Sequence, residues 1–158
     1  MNVYFDTEFA KLAPDAALIS IGLIDEAGER EFYAEAYDAY QIYEFSDFFL
    51  REVLPHLEGG SKRMPTSVLR EALTAWLASL GPDVVLICDS QRDADQLNQL
   101  YPHGLPLTVR VLVIGWWANL VRRFKNRGRR IHRANGYRVH HALDDAKVNR
   151  VVLTGRWT

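Results

Sequence analysis

The sequence has little that would suit a secreted or membrane-embedded protein. Cys88 is the single cysteine among 158 residues, which excludes an internal disulfide and a Cys-x-x-Cys zinc or redox pair. No apolar run approaches the roughly 20 residues that a membrane-spanning helix needs. The first residues do not form a basic segment followed by an apolar core, so no secretion signal is recognised. We therefore expect a protein of the reducing cytoplasm, without a membrane partner.

An excess of charge of one sign is also lacking. The formal net charge is −1, with 25% charged and 48% hydrophobic residues. This balance excludes a wholly basic nucleic-acid coat protein but leaves room for a local basic patch. The length and the apolar content suit one globular unit, so we expect residues 1–158 to form a single domain with a substantial core.

The distribution of apolar residues predicts a mixed α/β domain. Short apolar runs predict strands at 2–7, 17–25, 31–37, 84–88 and 107–114, and helical spacing predicts helices at 44–54, 65–80, 92–101, 115–126 and 141–153. A short turn that contains Gly28 joins the second and third strands as an antiparallel hairpin. Gly128 and the basic residues around it predict a mobile loop over 127–139.

Asp6 and Glu8 are the most informative residues of the chain. They follow the apolar start of the first strand, where alternate side chains point to the same face. Their Cα atoms are then roughly 6.5–7 Å apart. Two carboxylates so placed repel each other, and partial burial increases the cost, whereas a divalent cation between them removes it. The pair therefore predicts half of a metal site.

Two further acidic segments occur at positions that suit the same site. Residues 89–95 follow the buried strand at 84–88, and open α/β sheets place their sites at the carboxyl ends of strands. Asp144 and Asp145 open the last predicted helix, directly after a pair of histidines. Such a set can build a two-metal hydrolase, in which the cations lower the pKa of a water and a histidine accepts its proton.

These motifs resemble those of the DEDD-type 3′–5′ exonucleases of the ribonuclease H-like superfamily, in the branch whose base is histidine. That family has Asp-x-Glu on its first strand, a second aspartate after a later strand, and His-x4-Asp at the start of a C-terminal helix. This chain offers Asp6-Thr7-Glu8, then Asp93, then the segment from His140 to Asp145. The first motif, together with Leu18-Ile19-Ser20-Ile21-Gly22, is most similar to small bacterial and phage exoribonucleases.

The resemblance implies a ribonuclease H-like α/β fold, with a central mixed sheet flanked by helices. It also implies two Mg²⁺ or Mn²⁺ ions, with His140 as the general base and four metal ligands: Asp6, Glu8, Asp93 and Asp145. We expect hydrolysis of single-stranded RNA from its 3′ end to nucleoside 5′-monophosphates. The alternatives are a DNA or short-oligonucleotide substrate, or an inactive nucleic-acid-binding module. Because the family often forms homodimers, a homodimer is a further expectation.

Two of these assignments stay open. His140 and Asp145 share one side of the last helix only if His140 precedes that helix, and helical geometry alone favours His141, which is four residues before Asp145. Because only the histidine is expected to titrate near neutrality, activity should rise through about pH 6.5–8. The second acidic ligand is open among three aspartates, with Asp93 preferred over Asp89 and Asp95.

Three residues are expected to contact the substrate. Phe9 stands where many relatives have a small hydroxyl residue, so its ring is expected to stack on a base. Arg129 and Arg130 belong to the basic run from Arg122 to Arg133 and are expected to contact phosphates. The aromatic residues within 37–49 are expected mainly to pack in the core.

Overall fold

A computed structural model describes residues 1–11, 13, 16–39, 45–114 and 118–155 of the chain, with the backbone alone for 118–126. A six-stranded sheet has the order β4-β3-β2-β1-β5-β6. The elements follow the chain as β1 (Asn2–Phe9), β2 (Leu18–Asp25), β3 (Glu31–Ala36), β4 (Arg63–Met64), α1 (Thr66–Ser79), β5 (Val84–Cys88), α2 (Gln91–Leu100), β6 (Val109–Val113), α3 (Ala118–Asn135) and α4 (Ala142–Thr154). Short helical turns lie between β3 and β4, at Phe49–Val53, Leu54–His56 and Gly60–Lys62.

β1 pairs in antiparallel register with β2 on one side and in parallel register with β5 on the other, and β4 pairs in parallel with β3 at one edge of the sheet. β2 pairs with β1 and β3 in antiparallel register and is buried over its whole length. A strand covered on both faces needs a continuous apolar run, which its sequence supplies. β5 and β6 continue the sheet in parallel with β1. The carboxyl ends of β1 and β5 therefore meet at the same edge of the sheet.

Different helices cover the two faces of the sheet. Phe5 belongs to a core cluster with leucines of α1 and α2, whereas Tyr4 packs with Ala146 of α4. Because side chains alternate along a strand, Asp6 and Glu8 follow Tyr4 onto the α4 face. None of the described helices combines the length and the apolar character that crossing a membrane requires.

The predicted strands are confirmed, with ends that shift by no more than two residues. The predicted mobile loop over 127–139 is wrong for most of its length, because α3 continues to Asn135. Gly128 lies inside this helix rather than in a loop. It is buried where α3 meets α4, and an added Cβ would lie 3.3 Å from Cγ1 of Val148. Residues 115–117 of the helix predicted over 115–126 lie outside the described residues, and 118–126 belong to α3.

Candidate active site

Asp6 and Glu8 line one pocket at the carboxyl end of β1. Asp6 is partly buried and Glu8 is 8% exposed. Asp6 is paired across the sheet with Gly22, and a Cβ on Gly22 would lie only 2.2 Å from the backbone nitrogen of Leu143. The glycine therefore allows the first turn of α4 to rest against the sheet beside both carboxylates.

The start of α2 brings a third carboxylate to this pocket. Ser90 caps the helix, because its side chain accepts a hydrogen bond of 3.1 Å from the backbone N–H of Arg92. Asp93 then falls in the first turn and is buried. Its Oδ1 accepts hydrogen bonds from the backbone N–H of Thr7 at 3.1 Å and from the Thr7 hydroxyl at 2.7 Å. β1 thus holds Asp93 in place.

The three aspartates considered for the second acidic ligand differ in their distance from Asp6 and in their exposure. Oxygen atoms of Asp6, Asp89 and Asp93 lie within 4.8 Å of one another, so both later aspartates stand beside Asp6. Asp95 is exposed, and its Oδ1 accepts a hydrogen bond from the Gln91 side chain at 3.0 Å. It does not line the pocket.

His140 forms a second group with the acidic residues. Ligand atoms of Glu8, His140 and Asp145 lie within 4.8 Å of one another. His140 has a φ of 62°, in the left-handed region that costs an L-residue roughly 1–2 kcal/mol. This turn of the backbone precedes α4 and directs the ring into the pocket, edge-on to Phe48 with ring centroids 4.9 Å apart.

His141 has a different surrounding. It is the N-cap of α4, and its Nδ1 accepts a hydrogen bond of 3.3 Å from the backbone N–H of Asp144. Its ring stacks on Tyr33 with a centroid distance of 4.4 Å, and its Nε2 lies 3.4 Å from Oε1 of Glu58. The side chain is fully buried. The structure therefore places His140 at the pocket, whereas His141 starts the helix.

Asp145 has a partner that the sequence does not indicate. Nε2 of His132, in α3, donates a hydrogen bond to Oδ1 of Asp145 at 2.9 Å. Burial lowers the pKa of His132, but this hydrogen bond and the charge of Asp145 outweigh it and raise the pKa overall. No local pattern could reveal the pair, because it depends on the packing of two helices, one of which was predicted to be a loop.

Burial and mutual repulsion perturb the carboxyl groups strongly. Burial, and then the charges of Asp93 and Asp145, hold the pKa of Asp6 well above its ordinary value. Burial and the charge of Asp145 raise the pKa of Glu8 to about 8. Burial raises the pKa of Asp93 to about 7, although the hydrogen bond from Thr7 lowers it. A divalent cation would allow these groups to be ionised together.

These shifts correct the expectation that only the histidine titrates near neutrality. In the metal-free chain, Asp93 changes charge near pH 7 and Glu8 near pH 8. Cation binding requires the ionised carboxylates and therefore becomes tighter as the pH rises. An activity that increases with pH would include this contribution and would not by itself identify His140 as a base.

The pocket is a cavity of about 320 Å³ that carries aromatic and basic side chains beside the carboxylates. Phe9 lines it, and so does Phe48, which was predicted to pack in the core but is 50% exposed. Arg129 and Arg130 are exposed on α3 and do not line the cavity. The polar and basic lining residues that were not anticipated are Thr7, Lys11, Ser46, Ser90 and Arg92.

No protein-family model matches the chain, and no curated protein matches it. Its fold is similar to solved structures of the Mopeia virus exonuclease domain. One, described as fully depleted of manganese, has a TM-score of 0.54 at 13% identity, covering 98% of this chain and 76% of that chain. Another, soaked with alendronate, has a TM-score of 0.55 at 13% identity, covering 98% of this chain and 78% of that chain. The mixed sheet with its flanking helices is a ribonuclease H-like α/β fold, as the sequence predicted.

Proposed function

We propose that this chain is a metal-dependent 3′–5′ exonuclease that hydrolyses single-stranded RNA to nucleoside 5′-monophosphates. The observation that supports the proposal most directly is the meeting of two ligand groups in one pocket, Asp6–Asp89–Asp93 and Glu8–His140–Asp145. Their members come from β1, the β5–α2 turn, α2 and the start of α4, so they are not neighbours merely through the sequence. The likeness in fold to viral exonuclease domains agrees with this reaction class.

The donor atoms suit Mg²⁺ or Mn²⁺ better than zinc. All members of the two groups except His140 are carboxylates, and oxygen ligands are those that hard cations prefer. Asp6 and Asp93, with Asp89 beside them, would hold one ion, and Glu8 and Asp145 the other. When bound, two such ions lower the pKa of a water and stabilise the charge on a displaced phosphate.

His140 would accept the proton of the attacking water. Its ring lies at the pocket beside Glu8 and Asp145 and contacts Phe48 edge-on. The same position would also permit His140 to bind a cation. The variant His140→Ala distinguishes a general base from a metal ligand, because cleavage and Mn²⁺ binding can be measured separately. Loss of cleavage with Mn²⁺ binding retained supports the base, whereas loss of both makes His140 a ligand.

The pocket favours the end of an unpaired strand. Its volume of about 320 Å³ is at the lower end of small-ligand sites, which suits one terminal nucleotide. Phe9 and Phe48 line it, and aromatic rings stack on unpaired bases of any identity. Lys11 and Arg92 bring positive charge for the phosphates. The preference for RNA over DNA rests on the resemblance of the motifs to exoribonucleases.

A 5′-labelled single-stranded RNA and a DNA of the same sequence, each incubated with Mn²⁺ or Mg²⁺, test the proposal. We expect the RNA to shorten from its 3′ end as a ladder, and expect EDTA or Asp6→Ala to prevent this. A matched pair lies in α2: Asp93→Asn should abolish cleavage, whereas Asp95→Asn, an exposed position outside both groups, should not.

The other outcomes assign other functions. Faster shortening of the DNA would make it the substrate, and internal fragments would indicate an endonuclease. Binding of the oligonucleotide in EDTA, with no cleavage in the presence of either cation, would indicate a non-catalytic nucleic-acid-binding module.

A further inference from the structure

One carboxylate of the candidate site is held from a second helix. His132 leaves α3 on the side that packs against α4, next to Ile131, which is fully buried. The side chains of His132 and Asp145 are only 10% and 19% exposed, and Nε2 of the histidine donates to Oδ1 of the aspartate. Nε2 carries a proton both in the imidazolium and in one neutral tautomer, so this hydrogen bond needs no change of protonation.

The hydrogen bond from His132 keeps Asp145 at a place where the other carboxylates of the site repel it. A carboxylate oxygen of Asp145 lies within 4.8 Å of one of Glu8, and the charge of Asp145 raises the pKa of both Glu8 and Asp6. Without a cation, an unrestrained Asp145 side chain would reduce this repulsion by rotating away from Glu8. With Oδ1 held by a residue of a packed helix, that rotation is restricted, and the carboxylate stays beside Glu8 and His140.

We propose that His132 is a positioning residue, which fixes the Asp145 carboxylate for cation binding. The inference rests on the proposed function, because it takes Asp145 as a metal ligand. Replacing a residue that hydrogen-bonds to a metal ligand typically weakens metal affinity by about 10–100-fold. A purely structural hydrogen bond between helices would instead change stability and leave the affinity of the folded protein unaltered.

Calorimetric titration of the full chain with Mn²⁺ tests this proposal. His132→Leu keeps the bulk but loses the donor, and we expect it to weaken Mn²⁺ binding by about 10–100-fold. His132→Gln retains an N–H group that can reach Asp145 and should recover most of the loss. His103→Leu, at an exposed histidine after α2, is the matched control and should bind as the unmodified chain does. Thermal unfolding in EDTA verifies that each variant is folded.

A second arm tests whether His132 acts through Asp145. In an Asp145→Ala background, His132→Leu should cause no additional loss of affinity. An equal loss in both backgrounds would overturn the proposal, as would unchanged affinity in folded His132→Leu. If His132→Leu does not fold, the Mn²⁺ affinities of His132→Met and His132→Gln are compared instead. Equal affinities of these two variants would also overturn the proposal.

The two proposals fail in different ways. An unmodified chain that binds no Mn²⁺ would overturn both the metal-dependent function and the role of His132. Normal Mn²⁺ binding that does not respond to replacement of His132 would overturn only the positioning role.

Discussion

Thr7 stands between the two carboxylates of β1, but its side chain points to the opposite face of the strand. There it donates to Asp93 from both its hydroxyl and its backbone N–H, at 2.7 and 3.1 Å. These bonds lower the pKa of Asp93 against the larger effect of burial. The middle residue of the Asp-x-Glu motif therefore orients the carboxylate that α2 contributes.

We predict that Thr7→Val weakens Mn²⁺ binding by about tenfold, because it removes one hydrogen bond to a charged group while it preserves the side-chain shape. Titration calorimetry measures the change. Thr74→Val is the matched control, since the Thr74 hydroxyl contacts Arg70 and Tyr101 in another part of the fold. An unchanged affinity in Thr7→Val would show that the hydroxyl has no part in holding Asp93 for the cation.

Among the elements, α4 must lie close to the sheet for the site to form. Gly22 of β2 faces the first turn of this helix, and an added Cβ would lie 2.2 Å from the nitrogen of Leu143 and 2.4 Å from the carbonyl carbon of Ala142. Backbone atoms cannot yield as a side chain does, so the helix itself would have to move. The same helix brings Asp145 to the site.

We predict that Gly22→Ala destabilises the fold by about 3 kcal/mol or more and weakens Mn²⁺ binding, because it moves Asp145 away from Glu8. Urea unfolding and Mn²⁺ titration measure the two effects. Ile21→Val is the control on the opposite face of β2, where the loss of a methyl group should cost about 1 kcal/mol without a change in affinity. Equal effects of both variants on affinity would contradict this account.

Because α3 is a helix where a loop was predicted, helical geometry gives the directions in which its basic side chains leave the backbone. His132 points at Asp145 and gives a reference direction. A rotation of about 100° per residue places Arg129 about 60° from His132 and Arg130 about 160° from it. Both arginines are exposed. Arg129 therefore lies on the side of α3 nearer to His132, and Arg130 lies on the side away from it.

We predict that Arg129→Ala weakens single-stranded RNA binding more than Arg130→Ala does. If Arg129 contacts one phosphate, its loss should reduce the slope of log affinity against log salt by about 0.7. Fluorescence anisotropy with the cleavage-deficient Asp6→Ala protein, over a series of KCl concentrations, measures the slope. Equal slopes for the two variants would remove the distinction between these faces of α3.

The sequence predicts some of these elements well and others poorly, for physical reasons. Apolar runs locate the strands, because burial on two faces of a sheet demands them. Gly128 was misleading, since a glycine in an exposed helix costs about 1 kcal/mol relative to alanine and so suggests a loop. Here it is buried at the contact with Val148. The contribution of His132 depends on that same contact, so it could not be predicted before the packing of α3 was known.

For the molecule as a whole, folding gathers negative charge from three layers. α2 supplies Asp93 from one side of the sheet, β1 supplies Asp6 and Glu8, and α4 supplies Asp145 from the other side. In the unfolded chain these groups are solvated and far apart. Bringing these charges together without a cation opposes folding, so cation binding should contribute directly to the stability of the fold.

The sign of the pH dependence follows from the raised pKa values. Folding raises the pKa of Glu8 from 4.5 to about 8 and that of Asp93 from 3.8 to about 7. Between the unfolded and the folded values the native state binds more protons, so its stability decreases as the pH rises through this window. His132, with a raised pKa, acts in the same direction. The lowered pKa of His141 acts oppositely, but only below its ordinary value of 6.5.

We therefore predict that the unfolding temperature in EDTA is lower at about pH 8.5 than at about pH 6.5, by about 5 °C, since 1 kcal/mol corresponds to about 2–4 °C in a chain of this size. Mn²⁺ at the higher pH should restore it. Glu8→Gln removes one of the repelling charges, so in EDTA at the higher pH it should unfold at a higher temperature than the unmodified chain. It should also gain less from Mn²⁺. Differential scanning calorimetry measures these unfolding temperatures, and an unfolding temperature in EDTA that does not change with pH would contradict the mutual repulsion on which the site depends.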